Sequence, residues 1–531
     1  MSIMSSTPGE IRTPRAPSDG GKMRNADKLE RHIDTRQMVF MALASGIGAG
    51  LFVASGSALS AGGPASVFIN YALVGSMVCT TMGALGELAT TFPVAGGFYD
   101  YADRFLSEHW GFAVGWMYII GWITVLPFEL TTVAAQLQFW APSLRPEWII
   151  GPLLTALSVS SFVGSGWFGE VEHWLGVGKV LACVVFMIFS IITASGGVPS
   201  DTREPKPLGF EYFRGGNAFR NGFAGFLAVF RIAGLSYNGT EVLAMTAREC
   251  KNPKKAMPVG TYLAFFRISV FYLGCILCLG LTVPSSHPEL SQAGHGVKVS
   301  PFTLSAKLAG VPGLAHFYAA MILAALASMA NTAVFATSRA MQALCDKGCG
   351  PEVLARVNAR GIPHWSVVIA LSSGLLAFIS AAPGGEVIFD WLLSIASTFC
   401  FYIWIAICAS HIRCRRALGR DGTTTASLAF VSPFGVYGSY YTIALASFAL
   451  LANPLCSIFH LESSPVTVES ALRENVGMLV PWLLWGGRSL YCVYRNRKAG
   501  VGNDWALLRP MDEVDIDTKR VEKDTPVGGI F

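Results

Sequence analysis

The 531-residue chain is apolar and weakly charged, with 52% hydrophobic residues, 14% charged residues and a formal net charge of +5. Soluble domains carry about 25% charged residues, so this composition excludes an ordinary soluble protein. The basic residues lie between apolar segments rather than on one face, which excludes a nucleic-acid-binding surface. The sequence has no phosphate-binding loop or nucleophile elbow, so we expect no ATP hydrolysis and no other enzymatic activity.

The hydropathy pattern predicts an all-α integral membrane protein with about twelve transmembrane helices. A bilayer core about 30 Å thick requires roughly 20 apolar helical residues for each crossing. The predicted spans are residues 37–59, 65–91, 111–140, 148–166, 173–195, 222–247, 262–284, 314–343, 364–382, 387–411, 437–459 and 475–494.

The same pattern divides the chain into four regions. Residues 1–36 are polar and predict a disordered cytoplasmic N-terminal tail. Residues 37–411 form a predicted core of ten spans, residues 412–494 form spans 11 and 12, and residues 495–531 form a cytoplasmic C-terminal tail. Lysine and arginine are more frequent in the loops on the side of the two tails, and Arg267 is counted in that excess. This asymmetry predicts cytoplasmic termini, although the loop at 196–221 is basic on the opposite side.

Two glycine-containing segments interrupt the predicted spans 1 and 6. The segments are Ser45-Gly46-Ile47-Gly48-Ala49-Gly50 and Gly234-Leu235-Ser236-Tyr237-Asn238-Gly239-Thr240. Each segment lies in the first span of a block of five, which predicts a five-plus-five inverted repeat with broken helices 1 and 6, followed by two C-terminal helices. Close helix packing at small residues is the alternative explanation for each segment taken alone.

A broken helix exposes amide N–H groups at the start of one half and carbonyl groups at the end of the other. Within a membrane such a backbone survives only where it lines a cavity. The N–H end attracts a carboxylate and the carbonyl end an ammonium group, so the pair of breaks predicts an α-amino acid as ligand. The predicted binding residues are Ser45, Gly46, Ile47, Gly48, Ala49, Gly50, Glu129, Ser236, Tyr237, Gly239 and Thr240.

Ionisable residues inside spans are costly and are therefore functional candidates: Glu87, Glu129, Lys179, Arg231 and Glu241. Lys179, Glu241 and Glu87 are the predicted coupling or gating residues. The alternatives are a snorkelling Lys179, a Glu241 that caps a half-helix, and a Glu87 with a structural hydrogen-bonding role.

Two of these residues have other possible partners. Glu129 follows Pro127 and either faces the ligand side chain or pairs with a basic residue. Arg231 either lines an outer vestibule or pairs with Glu129, and we favour the pairing. Asn238-Gly239-Thr240 matches a glycosylation pattern, but its position inside span 6 predicts that it is unmodified. The scattered histidines show no ligand spacing, so we expect no metal site and no cofactor.

Several motifs in these regions resemble those of a known family. They are Ile47-Gly48-Ala49-Gly50-Leu51-Phe52-Val53, Gly86-Glu87-Leu88-Ala89, Leu126-Pro127-Phe128-Glu129, Gly169-Glu170-Val171-Glu172 with Lys179, and Gly239-Thr240-Glu241. Together they resemble the amino-acid permeases of the amino acid–polyamine–organocation superfamily, especially the fungal branch, over residues 35 to 520. The chain departs from the family pattern at Ala49, where a threonine is usual, and at Tyr237-Asn238.

The resemblance implies secondary active import of amino acids by alternating access, with protons as the coupling ion and the plasma membrane as the location. In related architectures a bound sodium ion fills the place of the Lys179 ammonium group, which favours proton coupling. The implied partners are an amino acid, protons and the lipid bilayer, with no nucleic acid. Alternatives within the same fold are transport of a polyamine or choline-like cation, or an amino-acid sensor that binds without transporting.

Overall fold

The computed structural model describes residues 43–44, 46–94, 97–198, 207–243, 253–291, 300–381, 385–458, 468–498, 507–518 and 520. Helices account for most of these residues, and no β-strand occurs among them. The all-α prediction is therefore confirmed for the described part of the chain. The predicted N-terminal tail, residues 1–36, and the candidate residue Ser45 lie outside the described residues.

Helices of eight residues or more are numbered here in chain order. They are α1 (Gly50–Thr91), α2 (Glu108–Leu137), α3 (Glu147–Ser161), α4 (Ser165–Ala194), α5 (Gly222–Ser236), α6 (Pro253–Phe266 and Leu273–Thr282, joined by the π-helical turn Arg267–Tyr272), α7 (Pro301–Leu308), α8 (Pro312–Asp346), α9 (His364–Ser373, extended by a 3₁₀ segment Gly374–Ala381), α10 (Gly385–Arg420), α11 (Gly435–Ile458) and α12 (Val468–Lys498).

Seven helical stretches among the described residues are long and apolar enough to cross a membrane. They are Gly50–Thr91, Glu108–Leu137, Gly166–Ala194, Ala256–Thr282, Pro312–Asp346, Ser394–Arg420 and Gly435–Ala452. These stretches support an integral multi-pass membrane protein. The count of about twelve spans and the inverted repeat stay predictions.

Helix α1 reverses direction at Gly63, whose backbone is non-helical (φ 77°, ψ 166°). Before this point Gly50 lies against Ser236 at the end of α5, whereas Gly62 lies against Val229 near the middle of α5. After it, Tyr71 returns to Ser236. The chain therefore runs along α5 and back, so the two parts of α1 correspond to the first two predicted spans.

Two helix boundaries and the placement of one residue differ from the sequence prediction in ways that matter for the site. Helix α4 begins at Ser165, so Glu172 lies inside a helix and not in a loop before residue 173. Helix α10 continues to Arg420, so the predicted domain boundary at 411 falls within a helix. Arg267 lies in the π-helical turn of α6 and is fully buried. Its use as a loop residue in the charge count was therefore wrong.

One end of the bundle, called here the basic end, is formed by the segment 98–106 and the polar groups around it. Lys347, just beyond α8, forms ion pairs with Asp100 and Asp103. Burial alone would lower the pKa of Lys347, but these two carboxylates more than offset burial and raise it. Arg413 of α10 donates to the Phe105 carbonyl. Contacts between residues distant in sequence therefore join the segment 98–106, the chain just beyond α8 and helix α10 at this end.

The C-terminal segment 507–518 docks on the basic end. Arg104 forms an ion pair with Asp515 at 3.2 Å and donates a hydrogen bond to the Thr518 carbonyl at 2.9 Å. The amide of Arg509 donates to the Leu106 carbonyl at 2.5 Å. Burial tends to raise the pKa of Asp515, yet the amide and hydroxyl of Thr518 and the Arg104 charge lower it overall. The predicted C-terminal tail thus contains an ordered, docked segment.

Candidate functional site

The first break lies immediately before α1. Gly46 has a left-handed backbone (φ +79°), which favours glycine. The Ile47 amide donates to the Ala44 carbonyl at 3.1 Å in a turn, and helical hydrogen bonding resumes where the Phe52 amide donates to the Gly48 carbonyl at 3.0 Å. The amides just before Phe52 therefore form the start of a half-helix, where an anion is favoured.

The second break follows the end of α5 at Ser236. Gly239 also has a left-handed backbone (φ +90°). The Tyr237 and Asn238 amides turn back to the carbonyls of Gly234 and Leu235, both at 3.2 Å. Helical geometry returns at Val242, whose amide donates to the Gly239 carbonyl at 3.3 Å. The two predicted interruptions are therefore real features of the described backbone.

The two breaks lie against each other in the core. A Cβ on Gly46 would come within 2.8 Å of the Asn238 carbonyl oxygen, and a Cβ on Gly50 within 2.4 Å of the Ser236 Cα. A Cβ on Gly239 would lie 3.5 Å from the Gly46 amide nitrogen. Glycine at these positions thus permits both backbones to approach, which is the requirement for a site made by main-chain groups.

Most carbonyls at the end of α5 already accept hydrogen bonds from the protein. The Ser236 carbonyl accepts from the Tyr272 hydroxyl at 3.0 Å, and the Tyr237 carbonyl accepts from the Thr240 hydroxyl at 2.8 Å. The carbonyls of Gly234 and Leu235 accept from the turn described above. The Asn238 carbonyl is the one that faces Gly46 of the first break, so it is the best placed acceptor for a ligand between the breaks.

Tyrosine side chains hold the second break in place. The Tyr71 hydroxyl and Ser236 Oγ are 2.6 Å apart, and the Tyr237 hydroxyl donates to the Tyr71 carbonyl at 2.9 Å. The Tyr237 and Tyr272 rings stack with centroids 4.5 Å apart. Ser236 and Tyr237 are therefore engaged in scaffolding, and their side chains position the backbone around the site.

Lys179 and Glu129 both reach the first break. Lys179 of α4 is buried, and its Nζ donates to the Ala44 carbonyl at 3.5 Å. Glu129 of α2 is also buried; its carboxylate lies beside the Ala49 amide and interacts electrostatically with Lys179. Within the described residues, Oε2 of Glu129 has no hydrogen-bond partner. The structure thus brings the two predicted ionisable residues together at the amide end of the site.

Glu241 is 1% exposed and follows the second break directly. Neither of its carboxylate oxygens makes a well-formed hydrogen bond to a described residue, although the amides of Gly239 and Glu241 and the Trp404 indole lie close by. A buried carboxylate without firm partners is costly in a fold that needs it only for packing.

Arg267 is a site residue that sequence reasoning missed. Its Nη2 donates to Thr240 Oγ1 at 2.6 Å, its guanidinium lies 5.7 Å from the Tyr272 ring centroid, and it interacts electrostatically with Glu241. Its position inside the apolar stretch 262–284 was the signal that would have identified it.

Glu172 was also missed as an ionisable residue of the core. It accepts hydrogen bonds from Ser328 Oγ at 2.7 Å and from Asn331 Nδ2 at 3.4 Å, both on α8, and it interacts electrostatically with Lys179. The two residues are about two helical turns apart on α4, so they share a face. This spacing would have identified Glu172 as a neighbour of Lys179 if the predicted span had begun at Ser165.

Glu87 lies elsewhere, in a fully paired network. Its carboxylate contacts His411 Nε2 at 3.1 Å and Arg415 Nε at 2.5 Å, and it accepts the Ser432 amide at 2.7 Å. It is roughly 24 Å along α1 from Tyr71, by the rise of an α-helix. The structure therefore does not bring Glu87 to the breaks.

Arg231, an ionisable candidate, and Asn238, the first residue of the glycosylation pattern, are the remaining residues considered from the sequence. Arg231 is half-buried in α5 and makes no ion pair with Glu129, so the favoured pairing of these two residues is not present. Asn238 is 2% exposed. Among the described residues, no group of three or more histidine, cysteine, aspartate or glutamate side chains is arranged to hold a metal ion.

Comparison with known sequences places these features in one family. The sequence model described as "Amino acid permease" matches residues 37–501. An uncharacterized amino-acid permease of Schizosaccharomyces pombe is 39% identical over 438 residues, which is 82% of this chain and 74% of the relative. Amino-acid permease inda1 of Hypocrea atroviridis is 37% identical, with 86% and 81% covered, and amino-acid permease GAP5 of Candida albicans is 35% identical, with 93% and 78% covered.

Proposed function

Because the chain belongs to the amino acid permease family, we propose that it imports amino acids across a membrane by proton symport, with alternating access to a site between the two breaks. The names of its fungal relatives support amino acids as the substrate class. By the same resemblance we propose the plasma membrane as its location, with both termini cytoplasmic.

The observation that carries this proposal is the contact between the two breaks. The first break offers amide N–H groups at Gly48, Ala49 and Gly50, and the second offers the Asn238 carbonyl. A carboxylate one carbon from an ammonium group matches this pair of opposite main-chain poles. Every α-amino acid carries that arrangement, so the backbone binds the common part of the substrate and the side chains around it set the selectivity.

The position of Glu129 supports proton coupling. Its carboxylate lies beside the Ala49 amide, which is where the substrate carboxylate binds in this proposal. Two carboxylates sharing one site repel each other, so one of them is favoured in its protonated form. Protonation of Glu129 therefore promotes substrate binding, and substrate binding promotes protonation. The Lys179 ammonium group interacts electrostatically with Glu129 and donates a hydrogen bond to the Ala44 carbonyl. A change in the charge of Glu129 therefore acts through Lys179 on the position of the first break.

The remaining residues have supporting roles in this proposal. Gly46 and Gly239 permit the backbone turns, while Ile47, Ser236, Tyr237 and Thr240 enclose the site. Ser45 lies outside the described residues and stays a proposed binding residue on the sequence alone. Glu241, together with Arg267 on Thr240, responds to movement of the second break.

A radiolabelled uptake panel in permease-deficient cells, at two external pH values, tests the proposal. We expect uptake of one or more amino acids to rise as external pH falls, and free amino acids to compete. Competition by a polyamine or choline, without competition by amino acids, would show that the substrate is a cation lacking a carboxylate. Saturable binding without uptake would identify a sensor.

A further inference from the structure

We propose that Glu172 is the proton-release residue of this protein, carrying the proton from Lys179 to a water-sized cavity that lies between Glu172 and the C-terminal end of α8. The inference rests on the proton symport proposed above and adds a route and a residue to it. The symport proposal itself names only residues at the breaks.

Contacts between α4 and α8 establish the relative direction of these two helices. Phe168 stacks on Phe335, and further along α4 Glu172 accepts hydrogen bonds from Ser328 and Asn331. Further still, a Cβ added at Gly178 would meet the Met321 side chain. The helices are therefore antiparallel. Moving from Lys179 to Glu172 along α4 leads toward the C-terminal end of α8, which is the basic end where Lys347 lies.

A chain of polar side chains leads away from Glu172. Asn331 donates to Glu172 Oε1 at 3.4 Å, and Ser160 Oγ donates to Asn331 Oδ1 at 3.5 Å. Ser160 and Asn331 both line a cavity of about 30 Å³, whose other lining residues include Ser161, Ser338 and Arg339. This volume has room for about two water molecules, and its polar lining offers them partners.

Aromatic side chains close the cavity from one side. The rings of Phe168 and Phe335 stack with centroids 4.0 Å apart and an interplanar angle of 3°, and both line the cavity. The Arg339 guanidinium lies 5.2 Å from the Phe335 centroid and donates to the Gly361 carbonyl at 3.1 Å. The stacked rings therefore form part of the cavity wall, about one helical turn along α4 from Glu172.

The groups around Glu172 make it suited to exchange a proton with Lys179. The charged groups acting on this pair are Glu129 from α2 and Arg267 from α6, while α8 contributes only the neutral Ser328, Asn331 and Thr332 toward Glu172. His173 follows Glu172 on α4 and contacts the Trp174 ring. Lys179 makes no ion pair with Glu172 within 4 Å here, since its Nζ is directed to the Ala44 carbonyl. Displacement of the first break would release Lys179 toward Glu172.

The transfer balances in two steps. The Lys179 ammonium group gives one proton to the Glu172 carboxylate, which leaves a neutral amine and a neutral carboxylic acid. Glu172 then gives that proton to a water molecule in the cavity and returns to the carboxylate, and the hydronium ion leaves at the basic end. Lys179 takes up its next proton from the side of Glu129. No oxidant, reductant or other reactant is required.

The test compares two modes of transport by the purified full-length protein in proteoliposomes. Exchange of labelled for unlabelled amino acid at equal pH needs no net proton release. Accumulation driven by a pH gradient requires release in every cycle, and an internal pH-sensitive dye reports it. For Glu172→Gln, we expect exchange to stay within about twofold of wild type and proton-driven accumulation to fall about 100-fold, the lower end of the effect of a positioned proton-transfer group.

Three further variants distinguish proton transfer by Glu172 from a purely structural effect. Glu172→Asp retains the carboxylic acid and should restore part of the accumulation, whereas Asn331→Ala should show the same split between the two modes to a smaller extent. Glu170→Gln is the control, because Glu170 is exposed on the same helix, where it accepts from Trp174 Nε1 at 2.9 Å, and its loss should change neither mode.

Two results would overturn the inference. One is a Glu172→Gln protein that takes up protons with the amino acid at the wild-type ratio. The other is an equal loss of exchange and accumulation, which would show a structural role alone. A wild-type protein that moves amino acid without protons would defeat the symport proposal and this inference together, and it is recognised without any variant.

Discussion

Two buried carboxylates, Glu87 and Glu241, lie in regions of the core that treat a buried charge differently. Glu87, near the basic end, is 2% exposed and is paired with His411, Arg415 and the Ser432 amide. Glu241, at the second break, is 1% exposed and makes no well-formed hydrogen bond to a described residue. Burial alone therefore does not distinguish a structural carboxylate from a functional one. A direct ion pair does, because Glu87 contacts the Arg415 guanidinium, whereas Glu241 forms no ion pair with a described residue.

The basic end and the breaks differ in how completely their charged groups are paired. At the basic end, charges are neutralised by fixed partners, and the docked segment 507–518 adds further contacts. At the breaks, Glu129 and Glu241 have carboxylate oxygens without a hydrogen-bond partner among the described residues. Ionisable groups kept in that condition are suited to change partner or protonation state during a transport cycle.

The largest expected effect on stability is at Glu87. Glu87→Ala leaves Arg415, whose side chain is 13% exposed, without its carboxylate, and breaking a buried ion pair typically costs about 3–5 kcal/mol. We expect a clear fall in the melting temperature of the detergent-purified protein and in its yield. A stable Glu87→Ala protein that fails only in transport would instead assign Glu87 to gating.

The next effect concerns the backbone of the first break. Gly46→Ala places a side chain in left-handed backbone, at a cost of roughly 1–2 kcal/mol, and adds a contact of 2.8 Å to the Asn238 carbonyl. We expect a weaker apparent substrate affinity, measured as the KM of uptake. Gly486→Ala in α12 is the control, since its Cβ would meet no atom within 4 Å. Equal KM values for both variants would argue against a substrate site at this break.

Glu241→Gln is expected to affect transport more than stability, the opposite of Glu87→Ala. Removing a buried charge that makes no well-formed hydrogen bond to a described residue relieves a desolvation penalty, so the melting temperature should be unchanged or higher. Uptake should nevertheless fall about tenfold and lose its response to external pH, a change equivalent to ~1.4 kcal/mol in coupling. Unchanged pH dependence in both Glu241→Gln and Lys179→Met would remove these two residues from the coupling mechanism.

The smallest effect is expected where the tail docks. Asp515→Ala removes an ion pair whose carboxylate side chain is 44% exposed, and such surface pairs contribute about 0–1 kcal/mol. Uptake and melting temperature should therefore stay near wild-type values. A large loss of uptake in this variant would show that the docked segment takes part in the transport cycle.

Sequence patterns identified the features that depend on local chemistry. Glycines at 46 and 239 mark the two breaks because left-handed backbone favours glycine, and the family resemblance is confirmed by the comparisons. Lys179 and Glu129 stood out because charge is rare in apolar segments. Local pattern was sufficient for each of these.

Other features depend on contacts between distant parts of the chain. Arg267 contacts Thr240 across 27 positions, and Glu172 is held by residues of α8 more than 150 positions away. Docking of residues 507–518 on the segment 98–106 joins opposite ends of the sequence. No periodicity in one chain specifies such pairings, and the misplaced start of α4 concealed Glu172 further.

We propose that main-chain poles at two adjoining breaks bind a zwitterion, and ligand-induced thermal stabilisation of the purified protein measures this binding. The comparison uses a transported amino acid, the matching amine without its carboxylate and the matching acid without its amino group. The account predicts that only the amino acid raises the melting temperature, and that Gly46→Ala abolishes this rise. Equal stabilisation by the amine, or an unchanged response in Gly46→Ala, would contradict it.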